Sequence, residues 1–114
     1  MHKESRTIVV SSGGMYTQKL VTKDIFMTKD FDGTAQYARN KRQQVCMMEE
    51  FQRRYPDKGL FVSMHPGWVQ TDMGGSHAAV SPPDSAAGIL RVVAGLTAED
   101  NGKFYIYNGE IHPW

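Results

Sequence analysis

The sequence predicts an α/β fold in the order strand, helix, strand, helix, strand. Two short apolar runs, residues 7–10 and 60–64, show no polar alternation, which is typical of strands in a buried parallel sheet. Residues 37–55 and 82–95 have helical character, and residues 103–107 form a third strand candidate. Because helices separate the strands, we expect parallel pairing with right-handed crossovers. The chain is therefore predicted to be half of a doubly wound parallel sheet.

The first helix is predicted to run from Tyr37 to Tyr55, where Pro56 and a Lys-Gly turn stop it. The preceding residues 16–36 have no sustained period, so we expect a long loop there. At 100° per residue, one side of the helix gathers most of its apolar residues. That inward side consists of Tyr37, Lys41, Gln44, Val45, Met48, Phe51, Gln52 and Tyr55. The opposite side, expected to face solvent, consists of Arg39, Arg42, Gln43, Glu50 and Arg53.

The second helix has a start signal at Ser81, a candidate N-cap followed by Pro82 at the first helical position and Asp84 in the first turn. It should run to about Gly95 and bury one apolar side. That side is predicted to comprise Ala86, Ile89, Leu90 and Val93. The glycine-rich residues 68–79 before it are expected to lack regular structure.

Composition describes an ordinary globular chain. The 114 residues suffice for one domain, and a net charge of +1 gives no indication of a nucleic-acid surface or an acidic membrane partner. The single cysteine, Cys46, excludes an internal disulfide and fits an ordinary thiol in a reducing compartment. The four histidines do not follow metal-ligand spacing. No apolar run approaches a membrane span, and residues 1–6 lack the apolar stretch of a secretory signal, so we expect a cytoplasmic protein.

Three separate segments carry groups that fit proton-transfer chemistry. Tyr37 and Lys41 are four residues apart, so a phenol and an ammonium share one helical face, and the positive charge favours the phenolate. Ser12 follows the first strand, and Pro66-Gly67 follows the second. Ligands of open parallel sheets lie beyond the carboxyl ends of the strands, where all three segments should meet. The sequence therefore predicts a site at this edge.

These segments resemble the short-chain dehydrogenase/reductase family. The resemblance lies in Thr-Ile-Val-Val-Ser-Ser at residues 7–12, Tyr37-x-x-x-Lys41 and Pro66-Gly67-x-Val69-x-Thr71, in the family's order. Residues 9–44 look like the member 12 group of that family. The tail, with its closing Gly-Glu-x-x-Pro-Trp, is similar to the small carbonyl reductases. The likeness covers only the family's second half, so residues 1–114 are interpreted as a partial Rossmann-type domain.

The resemblance implies a role for each matching residue. Tyr37 would be the general acid/base, with Lys41 favouring its phenolate and binding the nicotinamide ribose. Ser12, preferred to Ser11, would position the substrate oxygen. Four residues of the loop after the second strand would complete the cofactor site. They are Pro66 and Gly67, which would line the nicotinamide, and Val69 and Thr71, which would meet its carboxamide. The implied cofactor is NAD or NADP, with NADP slightly preferred, and the implied substrate is a small carbonyl compound or alcohol.

Two hypotheses follow for the chain itself. In the first, it belongs to an NAD(P)-dependent carbonyl reductase or alcohol dehydrogenase. In the second, it is a truncated, non-catalytic remnant or a module that pairs with a full-length relative. No Gly-rich turn follows any strand in the 114 residues, and the family's catalytic asparagine has no counterpart. We therefore expect the isolated chain to be inactive, and to be marginally stable or to form oligomers through its first strand.

Overall fold

The computed structural model describes residues 4–114; Met1, His2 and Lys3 lie outside this range. The predicted β-α-β-α-β order is confirmed. The principal elements are β1 (Arg6–Val10), α1 (Gly33–Arg54), β2 (Leu60–His65), α2 (Pro82–Ala94) and β3 (Phe104–Ile106). Short 3-10 helices span Gly13–Thr17 and Ala98–Asp100. Within residues 4–114, no helix is both long and apolar enough to cross a membrane.

The three strands form one parallel sheet in the order β1-β2-β3. Ile8 pairs with Val62 and Ser63 with Phe104, which places β2 at the centre of the sheet. β2 is buried over its four middle residues. The prediction that β1 is buried on both faces is wrong: its ends are exposed and its middle is half-buried. The reason is that, in the described part of the chain, only one edge of β1 has a neighbouring strand.

Two apolar clusters hold the helices on opposite faces of the sheet. Val62, Met64, Leu96 and Tyr105 form one cluster, against which Ile89 and Val92 of α2 pack. Met15, Val45 of α1 and Phe104 form the other cluster. Because side chains alternate along a strand, the neighbours Phe104 and Tyr105 serve different clusters. The sheet therefore lies between α1 on one face and α2 on the other.

Helix α1 begins four residues earlier than predicted, at Gly33. Asp32 is its N-cap, with a side chain that accepts a hydrogen bond from the Ala35 amide at 3.0 Å. The expected loop of residues 16–36 is shorter at both ends. The 3-10 helix Gly13–Thr17 extends into its start, and α1 takes up its last residues. The first turn of α1 contains small and polar residues, so apolar periodicity could not reveal it.

The predicted solvent-facing side of α1 is wrong in its first half. Arg42 is half-buried and donates to the carbonyls of Met15 (3.2 Å), Gln18 (2.7 Å) and Trp114 (2.7 Å). The segment after β1 and the C-terminal tail cover this side, and their backbone carbonyls accept the hydrogen bonds of Arg42. Towards the helix end, Arg53 is exposed as expected and pairs with Glu50 at 2.6 Å.

Helix α2 starts as predicted, since the Ser81 side chain accepts from the Asp84 amide at 3.2 Å. Its predicted buried side is wrong at two of the four residues, because Ala86 is exposed and Leu90 is 69% exposed. Ser85 and Gly88 are buried instead. A Cβ at Gly88 would lie 2.4 Å from the Tyr107 carbonyl oxygen, so a residue without a side chain sets the helix against the end of β3. Ile89 and Val93 are half-buried.

Candidate active site

A cavity of about 540 Å³ opens at the carboxyl edge of the sheet, between the end of β1, the start of α1 and the loop after β2. The structure brings six of the seven predicted site residues to its lining: Ser12, Tyr37, Pro66, Gly67, Val69 and Thr71. Lys41, the seventh, lies one turn of α1 beyond Tyr37. Among residues 4–114, the side chains that line this cavity are all uncharged.

The two serines after β1 have different environments. Ser11 is 4% exposed, and its hydroxyl donates to the Lys41 carbonyl at 3.2 Å, which ties β1 to α1. Ser12 is half-buried in the cavity wall, and its Oγ accepts from the Gly14 amide at 3.1 Å. That bond uses a lone pair and leaves the Ser12 hydroxyl proton available for an oxygen in the cavity.

Tyr37 lies beside both Ser12 and Lys41. A Cβ added to Gly14 would lie 3.4 Å from Ser12 Oγ and 4.0 Å from Tyr37 Cε1, so the hydroxyl and the ring border the same small space. Lys41 Nζ lies 5.6 Å from the centroid of the Tyr37 ring. It also donates to the Val10 carbonyl at 3.2 Å, so the end of β1 holds the ammonium next to the phenol.

The Pro66-Gly67 turn is fixed by its neighbours. Gly67 has a φ of +86°, and a Cβ there would lie 2.8 Å from a Tyr107 ring carbon, so glycine is required on both counts. The Gly67 amide donates to His65 Nδ1 at 3.1 Å. Ser85 Oγ donates to the Pro66 carbonyl at 2.6 Å. Neither of these two contacts was predicted from the sequence. The only sequence feature of Ser85 is its position in the first turn of a capped helix.

The segment after the turn is more ordered than predicted. Val69 and Val80 form a parallel bridge, with Gln70 N donating to Val80 O at 2.8 Å. Thr71 Oγ1 accepts from the Gly74 amide at 3.2 Å, so its hydroxyl proton also remains available. Met73, at the cavity mouth, is 78% exposed.

His65 is a titratable residue that contacts the turn. Burial, followed by the charge of His112, lowers its pKa below the ordinary value for histidine. A neutral imidazole is what the Gly67 hydrogen bond requires, since Nδ1 must be unprotonated to accept. Among residues 4–114, no group of three or more His, Cys, Asp or Glu side chains is arranged to hold a metal ion.

Comparison with known proteins identifies the family. Dehydrogenase/reductase SDR family member 12 of Bos taurus is 41% identical over 115 aligned residues, covering 90% of this chain and 36% of that protein. The structure of the carbonyl reductase Sniffer of D. melanogaster superimposes on all of this chain and on 44% of its own, with a TM-score of 0.77 and 29% identity. The chain belongs to the short-chain dehydrogenase/reductase superfamily.

A second solved structure extends the comparison to the cofactor. The NADPH-bound carbonyl reductase from chicken fatty liver has a TM-score of 0.76 and 25% identity, covering 96% of this chain and 43% of its own. No family model matches the chain. The chain spans less than half the length of each of these three relatives. The similarity to these solved structures confirms the predicted Rossmann-type α/β class.

Proposed function

We propose that this chain provides the catalytic half of an NAD(P)-dependent oxidoreductase that transfers hydride between a nicotinamide and a carbonyl or alcohol carbon. The observation that carries the proposal is that Ser12, Tyr37 and the Pro66-Gly67 turn border the same cavity. Membership of the superfamily and similarity to an NADPH-bound carbonyl reductase support it, and they favour NADP over NAD. In this proposal residues 1–114 form the second half of the enzyme domain.

The cavity fits the nicotinamide end of the cofactor. Its volume of about 540 Å³ leaves room for a nicotinamide ring together with a small substrate. Gly67 contributes only backbone atoms to the cavity lining. Pro66 and Gly67 would line one face of the ring. The Val69 backbone and the Thr71 hydroxyl would meet its carboxamide.

The chemistry of the chain's own residues is proton transfer and orientation. The bound cofactor supplies or accepts the hydride. Tyr37 holds the proton that reaches the substrate oxygen during reduction, and it removes that proton during oxidation. Lys41, whose ammonium the Val10 carbonyl holds beside the Tyr37 ring, would bind the nicotinamide ribose. Ser12 offers its free hydroxyl proton to the same substrate oxygen.

The isolated chain is proposed to be inactive. In dinucleotide enzymes, a Gly-rich turn and a helix N-terminus hold the pyrophosphate, and this binding energy orients the reactive ring. The 114 residues contain no Gly-x-Gly-x-x-Gly segment. We therefore expect the chain to bind NADPH weakly and to turn over no substrate by itself.

The test is a titration of the purified chain with NADPH, followed by cofactor fluorescence. Saturable enhancement in the millimolar range is expected, without oxidation of NADPH when a small ketone is added. Fusing a dinucleotide-binding half from a carbonyl reductase should restore turnover. In that fusion Tyr37→Phe should abolish turnover and retain cofactor binding, because the substitution removes only the hydroxyl. No saturable binding at millimolar NADPH would exclude the catalytic function for this polypeptide.

A second candidate function is association with another copy or with a full-length relative. It is favoured by the outer edge of β1, which has no neighbouring strand within residues 4–114 and ends at Val10, 46% exposed. Such an edge pairs readily with other strands. Light scattering should then show oligomers. A monomer with a sharp, reversible thermal transition would contradict this alternative.

A further inference from the structure

We propose that Ser85 and His65 are positioning residues that hold the Pro66-Gly67 turn against the nicotinamide. This inference rests on the proposed function, which assigns that turn to the cofactor. The turn needs outside support, because a glycine with positive φ has no side chain of its own to anchor it. Two polar backbone groups of the turn, the Pro66 carbonyl and the Gly67 amide, each form a hydrogen bond with a side chain.

Ser85 connects the turn to helix α2. Its side chain is buried, with the residue 3% exposed, and its hydroxyl donates to the Pro66 carbonyl at 2.6 Å. The position of α2 is itself fixed, since Gly88 packs on the Tyr107 backbone. The position of α2 therefore determines the position of the Pro66 carbonyl.

His65 connects the same turn to the segment that carries Ser12. Its Nδ1 accepts from the Gly67 amide at 3.1 Å. On the other side, a Cβ at Gly13 would lie 2.8 Å from His65 Nε2, so the ring fits closely against the residue after Ser12. The ring also stacks on Phe104, with centroids 6.5 Å apart and planes 15° apart. The imidazole therefore sets the spacing between two walls of the cavity.

The consequence is that loss of either contact should weaken nicotinamide binding. Each contact is a hydrogen bond with a net worth of about 1 kcal/mol, and a loss of about 0.7–1.4 kcal/mol corresponds to a three- to tenfold change in affinity. A residue with only a structural role would lower stability and leave the affinity of the folded chain unchanged. Affinity is therefore the deciding quantity.

The experiment titrates the chain with reduced nicotinamide mononucleotide, which contains the ring and ribose without the adenylate half. Ser85→Ala should bind about three- to tenfold more weakly than the unmodified chain. The matched control is Ser81→Ala, one turn earlier on the same helix. It loses the helix cap and should show a lower melting temperature, with unchanged affinity. Equal loss of affinity in both variants would show a general effect of helix stability and would overturn the role of Ser85.

The histidine is tested by a pair of variants. His65→Leu removes the acceptor and should bind about three- to tenfold more weakly. His65→Asn keeps an acceptor near the position of Nδ1 and should recover most of the affinity. If Ser85→Ala does not fold, this pair decides the proposal.

The outcomes separate this inference from the function on which it rests. If the unmodified chain shows no saturable binding of the mononucleotide at millimolar concentration, the proposed function fails, and the positioning role fails with it. If the unmodified chain binds and both Ser85→Ala and His65→Leu bind equally well, only the positioning role is wrong.

Discussion

Replacing Gly88 by alanine should destabilise the chain by forcing α2 away from β3. The new Cβ would lie 2.4 Å from the Tyr107 carbonyl oxygen and 2.9 Å from a carbon of its ring. The closer contact is with backbone, which cannot turn away as a flexible side chain can. Overpacking of this kind costs about 1–3 kcal/mol, and a contact this short belongs at the upper end. The better helix propensity of alanine returns about 1 kcal/mol.

The net expected loss for Gly88→Ala is therefore about 2 kcal/mol in the free energy of unfolding. Urea denaturation followed by circular dichroism measures it, and an m-value of about 1–2 kcal/mol per molar urea gives a midpoint lower by about 1–2 M. Gly95→Ala is the matched control at the end of the same helix. Its Cβ would lie 3.7 Å from the nearest atom outside its neighbours, so its effect should stay within about 0.5 kcal/mol. A Gly88→Ala midpoint equal to or above that of the unmodified chain would refute the close-packing argument.

Three further predictions concern groups outside the cavity lining. Tyr105→Phe removes the hydroxyl that donates to Asp100 at 2.5 Å, and should cost about 1.5–3 kcal/mol at pH 7. This hydrogen bond, with smaller contributions from Thr97 and Lys103, lowers the pKa of Asp100 to about 2. The stability lost in Tyr105→Phe, measured by denaturation, should therefore shrink as the pH falls from about 5 towards 2. Arg42→Met removes three donated hydrogen bonds and should cost about 2 kcal/mol or more, whereas Arg53→Met, at an exposed ion pair, should change stability by less than about 1 kcal/mol. The pKa of His65 is lowered in the folded chain, so the contribution of its neutral imidazole to the free energy of unfolding is complete above the unfolded pKa of about 6.5 and is lost as the pH falls below that value. The free energies of unfolding of the unmodified chain and of His65→Asn should therefore converge or cross between pH 7.5 and 5. A constant difference would contradict this.

The sequence predicted the strands well because their signals are local. An apolar run without alternation and a turn at its end are both contained within a few residues, as at Leu60–His65. The convergence of Ser12, Tyr37 and Pro66-Gly67 could also be predicted, since parallel strands place their carboxyl ends at one edge. These inferences needed only element order and residue spacing.

The errors came from contacts between distant parts of the chain. Arg42 has the appearance of a solvent-exposed residue, but Trp114, 72 residues later, accepts its hydrogen bond. Leu90 was expected inside because it is apolar, whereas Gly88 decides which side of α2 faces the sheet. The contact of Ser85 with Pro66 spans 19 residues and leaves no periodic pattern. Such features depend on packing, which spacing alone does not encode.

The most direct test of the central claim is a chemical-shift map of the ¹⁵N-labelled chain during titration with NADPH. Saturable shifts are expected at the amides of Ser12, Tyr37, Gly67 and Val69, with a common dissociation constant. Absence of shifts at millimolar cofactor, or shifts confined to the opposite edge of the sheet near Lys58, would contradict the assignment of this cavity to the nicotinamide.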